Sequence, residues 1–336
     1  MSFFSMSSFL FFPMLVLGVF ISVSSSSWFG AWLGLELNLL SFIPIISMKI
    51  NSFLSEAALK YFLIQALGSA TLVMASSLYM SFTNFSTFIL LLTLLLKLGA
   101  SPFHFWFPQV MSGLYWPQAI ILLTIQKIAP MVLLSYLLSS FISFNMLILS
   151  SILSAIIGAL GGLNTLNLRK IIAFSSINHM SWMFIALFLN TNLWILYFSF
   201  YSLISSSLVV LFHLQQSYSF QDILVYFQPK PFFSFAGPVS LLSLGGLPPF
   251  TGFLPKWIVI QAMMQSHMFV TLFFLLSSAL ITLYYYLRIS IPFFMMFNSS
   301  LSFSFKQVPV NFSMFLFFTL FTNLLGLLFP FWSYLF

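Results

Sequence analysis

"LLLTLLLKLGASPFHFW", residues 90–106, decides the fold class. A leucine-rich run carries one amine, Lys97, and then stops at Gly99 and Pro102. Proline in a helix interior removes a backbone donor and clashes with the preceding turn. In lipid the freed amides and carbonyls find no water. Irregular backbone inside so apolar a stretch must therefore be buried in protein or line a wet path.

The rest of the chain has the same character. Of 336 residues, 61% are hydrophobic and 4% charged, with 47 Phe and a mean hydropathy of +1.11. Soluble domains carry roughly 25% charged residues. The composition reads as an all-α integral membrane protein, long enough for roughly ten or eleven spans of about 20 residues with short connections. No room is left for a sizeable soluble domain. There are no cysteines, which excludes disulfides and thiolate-held iron–sulfur clusters. No CxxC or HExxH pattern offers a metal site, and no glycine-rich dinucleotide fingerprint follows a strand. The net charge of +7 is not gathered into a run that would bind nucleic acid. With no basic residue before Lys49, the N-terminus lacks the charge pattern of a signal or transit peptide, and the first span is expected to be retained.

Apolar runs between polar or turn-forming breaks give eleven candidate spans, near 6–22, 28–48, 56–81, 85–111, 116–138, 145–163, 169–189, 192–213, 237–264, 268–291 and 311–333. Zones following even-numbered spans hold Lys49, Lys60, Arg169, Lys170, Lys230, Arg288 and Lys306, whereas those following odd-numbered spans hold no Lys or Arg. That segregation places the N-terminus and the basic loops on the inner side and the C-terminus opposite. Trp28, Trp32, Trp116 and Trp332 fall near span ends, as an interfacial aromatic belt requires. Glu56 and Asp222 accompany inner-side lysines and are expected to pair locally or meet partner subunits.

Four charges fall inside spans: Glu36 in "AWLGLELNLLSF", Lys97, Lys127 in "ILLTIQKIAPMV" and Lys256 in "TGFLPKWIVI". Each opposes insertion by about 2.5–3.5 kcal/mol, roughly 10 kcal/mol together, so they should face a protein interior or a wet cavity. A snorkelling lysine near a span end is the bland reading of any one of them. Lys97 and Lys256 flank breaks. The fourth span is interrupted by "KLGASPFHFWFP" and the ninth by "SLGGLPPFTGFLPK", with Gly245 and Gly246 before Pro248 and Pro249. Five spans separate the two, an odd number, so the two elements cross in opposite directions. This predicts two inverted five-helix repeats, residues 1–140 and 141–295, followed by a loop and last helix over 296–336. Discontinuous helices at matching positions of inverted halves point to an ion pathway near the midplane.

Lysine suits such a pathway because an amine withdrawn from water can release and regain a proton, which a guanidinium cannot. Glu36 on another helix would favour the protonated amine when close and release it when distant. His179, about mid-span in the seventh helix, either extends a hydrogen-bonded chain with Ser175 and Ser176 or bonds a neighbouring helix. His104 follows the first break, where capping unwound backbone is its simplest role. His213 and His267 fall near span ends.

"KLGASPFHFWFPQV", "LGGLNTLNLRKIIAFSSINHMSWM", "SLGGLPPFTGFLPKW" and "GAWLGLELNLLSFIP" resemble, over roughly residues 28–260, the signature segments of the chain 2 family of mitochondrial NADH:ubiquinone oxidoreductase, respiratory complex I. These are antiporter-like membrane-arm subunits. The resemblance implies proton translocation coupled to NADH oxidation and ubiquinone reduction in other subunits, which hold NADH, FMN, the iron–sulfur clusters and ubiquinone; no cofactor is expected in this chain. It makes Glu36 and Lys97 the entry-side pair, Lys127 the central relay and Lys256 the lysine toward the exit. Partners would be other membrane-arm and accessory subunits and phospholipids such as cardiolipin, in the mitochondrial inner membrane with the N-terminus on the matrix side. A free-standing cation/proton antiporter is the alternative, since the same repeats and lysines serve that chemistry; a purely structural subunit is a third reading.

Overall fold

The structure is a computed structural model that describes residues 6–48, 51–138, 141–225, 231–295 and 319–324. Among these residues all regular structure is helical, and the one strand-like contact is an isolated bridge between Asn167 and Ser219. The helices are α1 (Met6–Ser24), α2 (Trp28–Ile46), α3 (Ser52–Ser77), α4 (Thr83–Leu98), α5 (Trp106–Gly113), α6 (Trp116–Leu123), α7 (Ile125–Leu137), α8 (Phe141–Leu163), α9 (Leu168–Leu189), α10 (Thr191–Gln215), α11 (Phe220–Val225), α12 (Pro231–Gly245), α13 (Phe253–Gln265) and α14 (Phe269–Met295). Among the described residues, seven segments are long and apolar enough to cross a membrane, counting Trp116–Leu137 as one, while Leu10–Ser24, Thr83–Leu98 and Phe235–Gly245 are shorter apolar helices. Of the candidate span 311–333 only 319–324 lies among the described residues, where it is helical. Lys49, Lys230, Lys306 and Trp332 lie outside them.

The chain packs as two compact units, Met1–Ser154 and Ala155–Phe336. In the first, α1 and α2 meet backbone to backbone, because a Cβ on Gly34 would stand 2.5 Å from the Ser22 nitrogen and 2.6 Å from the Gly18 carbonyl. Small residues allow such approach where no hydrophobic effect drives helices together. Helix α3 packs on α2, α4 and α5, and α7 on α1, α2 and α4. In the second unit α9 is central, against α10, α13 and α14, and is buried along nearly its whole length. Leucines and phenylalanines such as Leu63, Leu67, Phe273 and Leu280 project outward, a face that lipid solvates without cost.

Both expected breaks are present, and they share one backbone design. Gly99 ends α4 at φ 67° and Gly246 follows α12 at φ 77°, the left-handed region that a side chain disfavours. Ala100 N donates to Leu95 O at 3.1 Å and Leu247 N to Leu242 O at 3.3 Å, the six-to-one bond of a Schellman cap. Each is followed three residues later by a proline after a cis bond, Pro102 and Pro249. Beyond them Phe103, Trp106 and Pro108 correspond in spacing to Phe250, Phe253 and Pro255. The helix resumes at Trp106 and Phe253.

A third interruption was not anticipated. Residues 116–138 read as one helix, but α6 and α7 are separated at Thr124, whose hydroxyl donates to the Ile120 carbonyl at 2.7 Å. Threonine bonding back to the carbonyl four residues earlier bends a helix, and Pro130 deprives the next turn of a donor. Trp116, assigned above to the interfacial belt, is fully buried. Glu56 does pair locally, with Lys60 at 2.6 Å on the exposed face of α3. Asp222 instead accepts the backbone amides of Tyr218 at 2.9 Å and Ser219 at 2.7 Å, closing the loop before α11.

Candidate functional site

The first break exposes helix-end carbonyls, and side chains of the same unit claim them. Trp106 Nε1 donates to Leu96 O at 3.0 Å and Gln65 Nε2 to Lys97 O at 3.1 Å. His104 Nδ1 lies 3.2 Å from the Pro102 carbonyl, the capping role expected of it. With the backbone satisfied, the Lys97 side chain turns inward and lies against Gly68 of α3, where a Cβ would stand 3.1 Å from Lys97 Cγ. Lys97 is 6% exposed and Lys127 is 2% exposed. Neither snorkels.

Both lysines line the same polar cavity of about 20 Å³, with Asn38, Tyr61, Gln65 and Gln126 among its walls. That volume is room for about one water. Lys127 Nζ lies 5.3 Å from the centroid of the Phe107 ring, which the resumed helix α5 presents to it. The Tyr61 hydroxyl donates to Gln126 Oε1 at 3.1 Å, and Gln126 Nε2 donates to Asn38 Oδ1 at 2.8 Å. Glu36, two residues before Asn38 on α2, is not among the cavity's lining residues. Its buried Oε2 has no hydrogen-bond partner, so its charge reaches Lys97 and Tyr61 through space.

In the second unit Lys256 closes the other break directly. Its Nζ donates to the Gly245 carbonyl at 2.7 Å, capping the end of α12, and lies 6.0 Å from the Trp182 ring centroid. Gly246 makes this possible, because a Cβ there would stand 2.8 Å from Lys256 Cδ and 2.9 Å from Nζ. Each break lysine therefore rests on a glycine. Asn323, in the segment 319–324, braces the same break: its carbonyl accepts Thr251 N at 3.2 Å, its Oδ1 accepts the Ser243 hydroxyl at 2.7 Å, and its Nδ2 donates to Ser207 Oγ at 3.2 Å. His179 Nδ1 lies 3.0 Å from the Tyr197 hydroxyl of α10, the neighbouring-helix bond set against the relay reading above. Ser175 and Ser176 donate to the Ile172 and Ala173 carbonyls of their own helix, at 2.8 and 2.7 Å. Both hydroxyls also interact with tyrosines of neighbouring helices, Ser176 with Tyr201 and Ser175 with Tyr286. A cavity of about 10 Å³ lies beside His179, Tyr197 and Ser243.

Charge alone pointed to Glu36, Lys97, Lys127 and Lys256; the neutral residues Asn38, Gln65, Gln126 and Asn323 were missed. The signal that could have found them is the same in kind: amide side chains inside apolar spans, which lipid penalises unless they are bonded.

The family described as NADH:quinone oxidoreductase/Mrp antiporter, TM, matches residues 25–282, a stretch that holds both breaks and all four intramembrane charges. The chain belongs to this family. Among its relatives are NADH-ubiquinone oxidoreductase chain 2 of Anopheles gambiae, 48% identical over 296 residues and covering 85% of this chain and 86% of that one, and of Aedes aegypti, 46% identical with the same coverage. The resemblance read from the four sequence segments is thereby borne out. Among solved structures, respiratory complex I from Thermus thermophilus holds a similar chain, with a TM-score of 0.85, 24% identity and coverage of 96% of this chain and 78% of that one. A chain of the Mrp complex from Dietzia matches at a TM-score of 0.73 and 16% identity over 83% of this chain and 59% of that one. These two likenesses establish the fold of the NADH:quinone oxidoreductase/Mrp antiporter family.

Proposed function

We propose that the chain is a core membrane-arm subunit of mitochondrial respiratory complex I, carrying part of a proton path coupled to NADH oxidation and ubiquinone reduction elsewhere in the complex. The observation that carries this reading is the placement of Lys97 and Lys127 on one polar cavity beside a broken helix. Two amines around a water-sized gap are a means of passing a proton, since the protonated one donates to a bridging water and the other, when neutral, accepts from it. Lys97 and Lys127 are the relay of the first unit, with Glu36 biasing Lys97 through space; Lys256, with His179 as a further group, serves the second. The recurrence of Gly, Pro, Phe and Pro at matching spacing around both breaks supports two inverted five-helix repeats, 1–140 and 141–295, with 296–336 as an additional loop and helix. Eleven spans then put the N-terminus and basic loops in the matrix and the C-terminus in the intermembrane space. NADH, FMN, iron–sulfur clusters and ubiquinone belong to other subunits. Other membrane-arm and accessory subunits and phospholipids such as cardiolipin surround this one.

The identity to chain 2 relatives over most of both chains favours a complex subunit over a free cation/proton antiporter. Lys97→Ala and Lys127→Ala test the reading in the assembled complex. Assembly should persist, while protons moved per electron fall. An unchanged stoichiometry in both assembled variants would remove these lysines from the path.

A further inference from the structure

The three neutral side chains joined across the first cavity come from three different helices: Asn38 from α2, Tyr61 from α3 and Gln126 from α7. Their bonds run in one direction, phenol to amide oxygen and amide nitrogen to amide oxygen. The Tyr61 ring is itself held, 5.1 Å from the Phe42 centroid edge-on and 6.0 Å from that of Trp106. Asn38 is 2% exposed and Tyr61 2% exposed, so neither can exchange its partner for bulk water. Gln126 follows the Thr124 interruption and immediately precedes Lys127, so the bend in the fifth span and the amide bond set the register at which that lysine enters the cavity.

Resting on the proton-path reading above, we propose that Asn38, Gln126 and Tyr61 are positioning residues that fix a single water between the Lys97 and Lys127 amines. Phenol and carboxamides suit this task because none of them changes protonation readily near neutral pH, so they orient the water without trapping its proton. A histidine or carboxylate in the same wall would compete for it. The volume of about 20 Å³ accommodates one water and not a chain of them. The titratable groups facing the wall are Lys97 on α4, Lys127 on α7 and, acting through space, Glu36 on α2. Transfer through one held water is a matter of orientation, and orientation is what the amide bonds supply.

The test uses the assembled complex with Gln126→Met, which keeps length and loses both bonds, and Tyr61→Phe, which removes only the hydroxyl. Proton pumping is expected to fall at least about tenfold in Gln126→Met, since the loss of one hydrogen bond already corresponds to about that factor and the variant loses two. Its solvent deuterium isotope effect should exceed the parent's, because proton transfer becomes rate-limiting; a role in packing alone would lower the yield of complex and leave the isotope effect unchanged. Tyr61→Phe should move both readouts the same way by less, and serves alone should Gln126→Met fail to assemble. An electron-density map of the parent complex should place one water in contact with both amines and the wall. Parent-like rate and isotope effect in whichever variants assemble, or a cavity without that water, would overturn the proposal. Should Lys97→Ala and Lys127→Ala also pump normally, the functional reading falls with it; should they not, only the positioning role falls.

Discussion

Gly245 and Gly246 are adjacent, yet replacing them with alanine should have opposite consequences. Gly246 has φ 77°, and a non-glycine residue in that region costs about 1–2 kcal/mol. Its Cβ would also stand 2.8–2.9 Å from Lys256 Cδ and Nζ. The flexible lysine must swing aside, breaking its 2.7 Å bond to the Gly245 carbonyl. A bond to a charged group contributes about 1.5–3 kcal/mol, so Gly246→Ala should destabilise the second break by about 2.5–5 kcal/mol. Gly245 ends α12, and its Cβ would meet nothing nearer than 3.5 Å, ordinary contact. Alanine there should be neutral or stabilise by up to about 1 kcal/mol through helix propensity. Thermal dissociation of the assembled complex and NADH-driven pumping, measured on both variants, give the comparison. Gly246→Ala should lower the dissociation midpoint and pumping while Gly245→Ala matches the parent. Indistinguishable behaviour would refute the seating of Lys256 on that carbonyl.

Two further outcomes follow from residues away from the lysines. Gln118 Nε2 donates to the Ile45 and Ile46 carbonyls, at 2.7 and 3.2 Å, and its Oε1 accepts Tyr115 N at 3.1 Å. Gln118→Ala orphans these buried groups at about 1–3 kcal/mol each, and the complex should dissociate at lower temperature; an unchanged midpoint would show that the end of α2 is satisfied otherwise. In the loop before α11, burial pushes the Asp222 carboxyl upward, but the Tyr218 and Ser219 amides and the Ser219 hydroxyl outweigh it and hold it below the ordinary 3.8. A carboxylate held low stabilises the folded loop above that pH and ceases to do so as acidity rises through its lowered value. Hydrogen exchange at Tyr218 and Ser219 should therefore stay protected from neutral pH down to about 4 and lose protection below it, and Asp222→Ala should lose it at neutral pH; protected amides in that variant would contradict the loop's closure by Asp222.

Much of the fold was legible because glycine and proline act locally. Gly99 with Pro102, and Gly246 with Pro249, break a helix whatever surrounds them, and both breaks stand where the sequence placed them. The buried lysines were legible because a charge in an apolar run needs an interior. Thr124 was not, since Thr71 makes the same bond four residues back inside the unbroken α3, so a threonine alone does not mark an interruption. Trp116 misled for a related reason: position along a span gives depth in the membrane but not direction around the helix axis, and this ring points inward. Of the two readings given for His179, the sequence could not choose, because a bond to Tyr197 of the next helix and the serine bonds one turn back depend on packing. The amides of Asn38, Gln126 and Asn323 carry no charge, and their partners lie 88 residues apart for Gln126 with Asn38 and 116 for Asn323 with Ser207, beyond the reach of any local pattern.

Asn323 ties the chain's distal region to the loop at Thr251 through its backbone carbonyl, to α12 at Ser243 through its carboxamide oxygen and to α10 at Ser207 through its carboxamide nitrogen. A premature stop codon between positions 307 and 323 would therefore act as a lesion of the second break: every amine would remain encoded, but the Thr251 amide would lose its acceptor and Ser243 its bond to the Asn323 carboxamide. Heritable damage near the distal end of the reading frame should accordingly mimic loss of the Lys256 region rather than a harmless trimming.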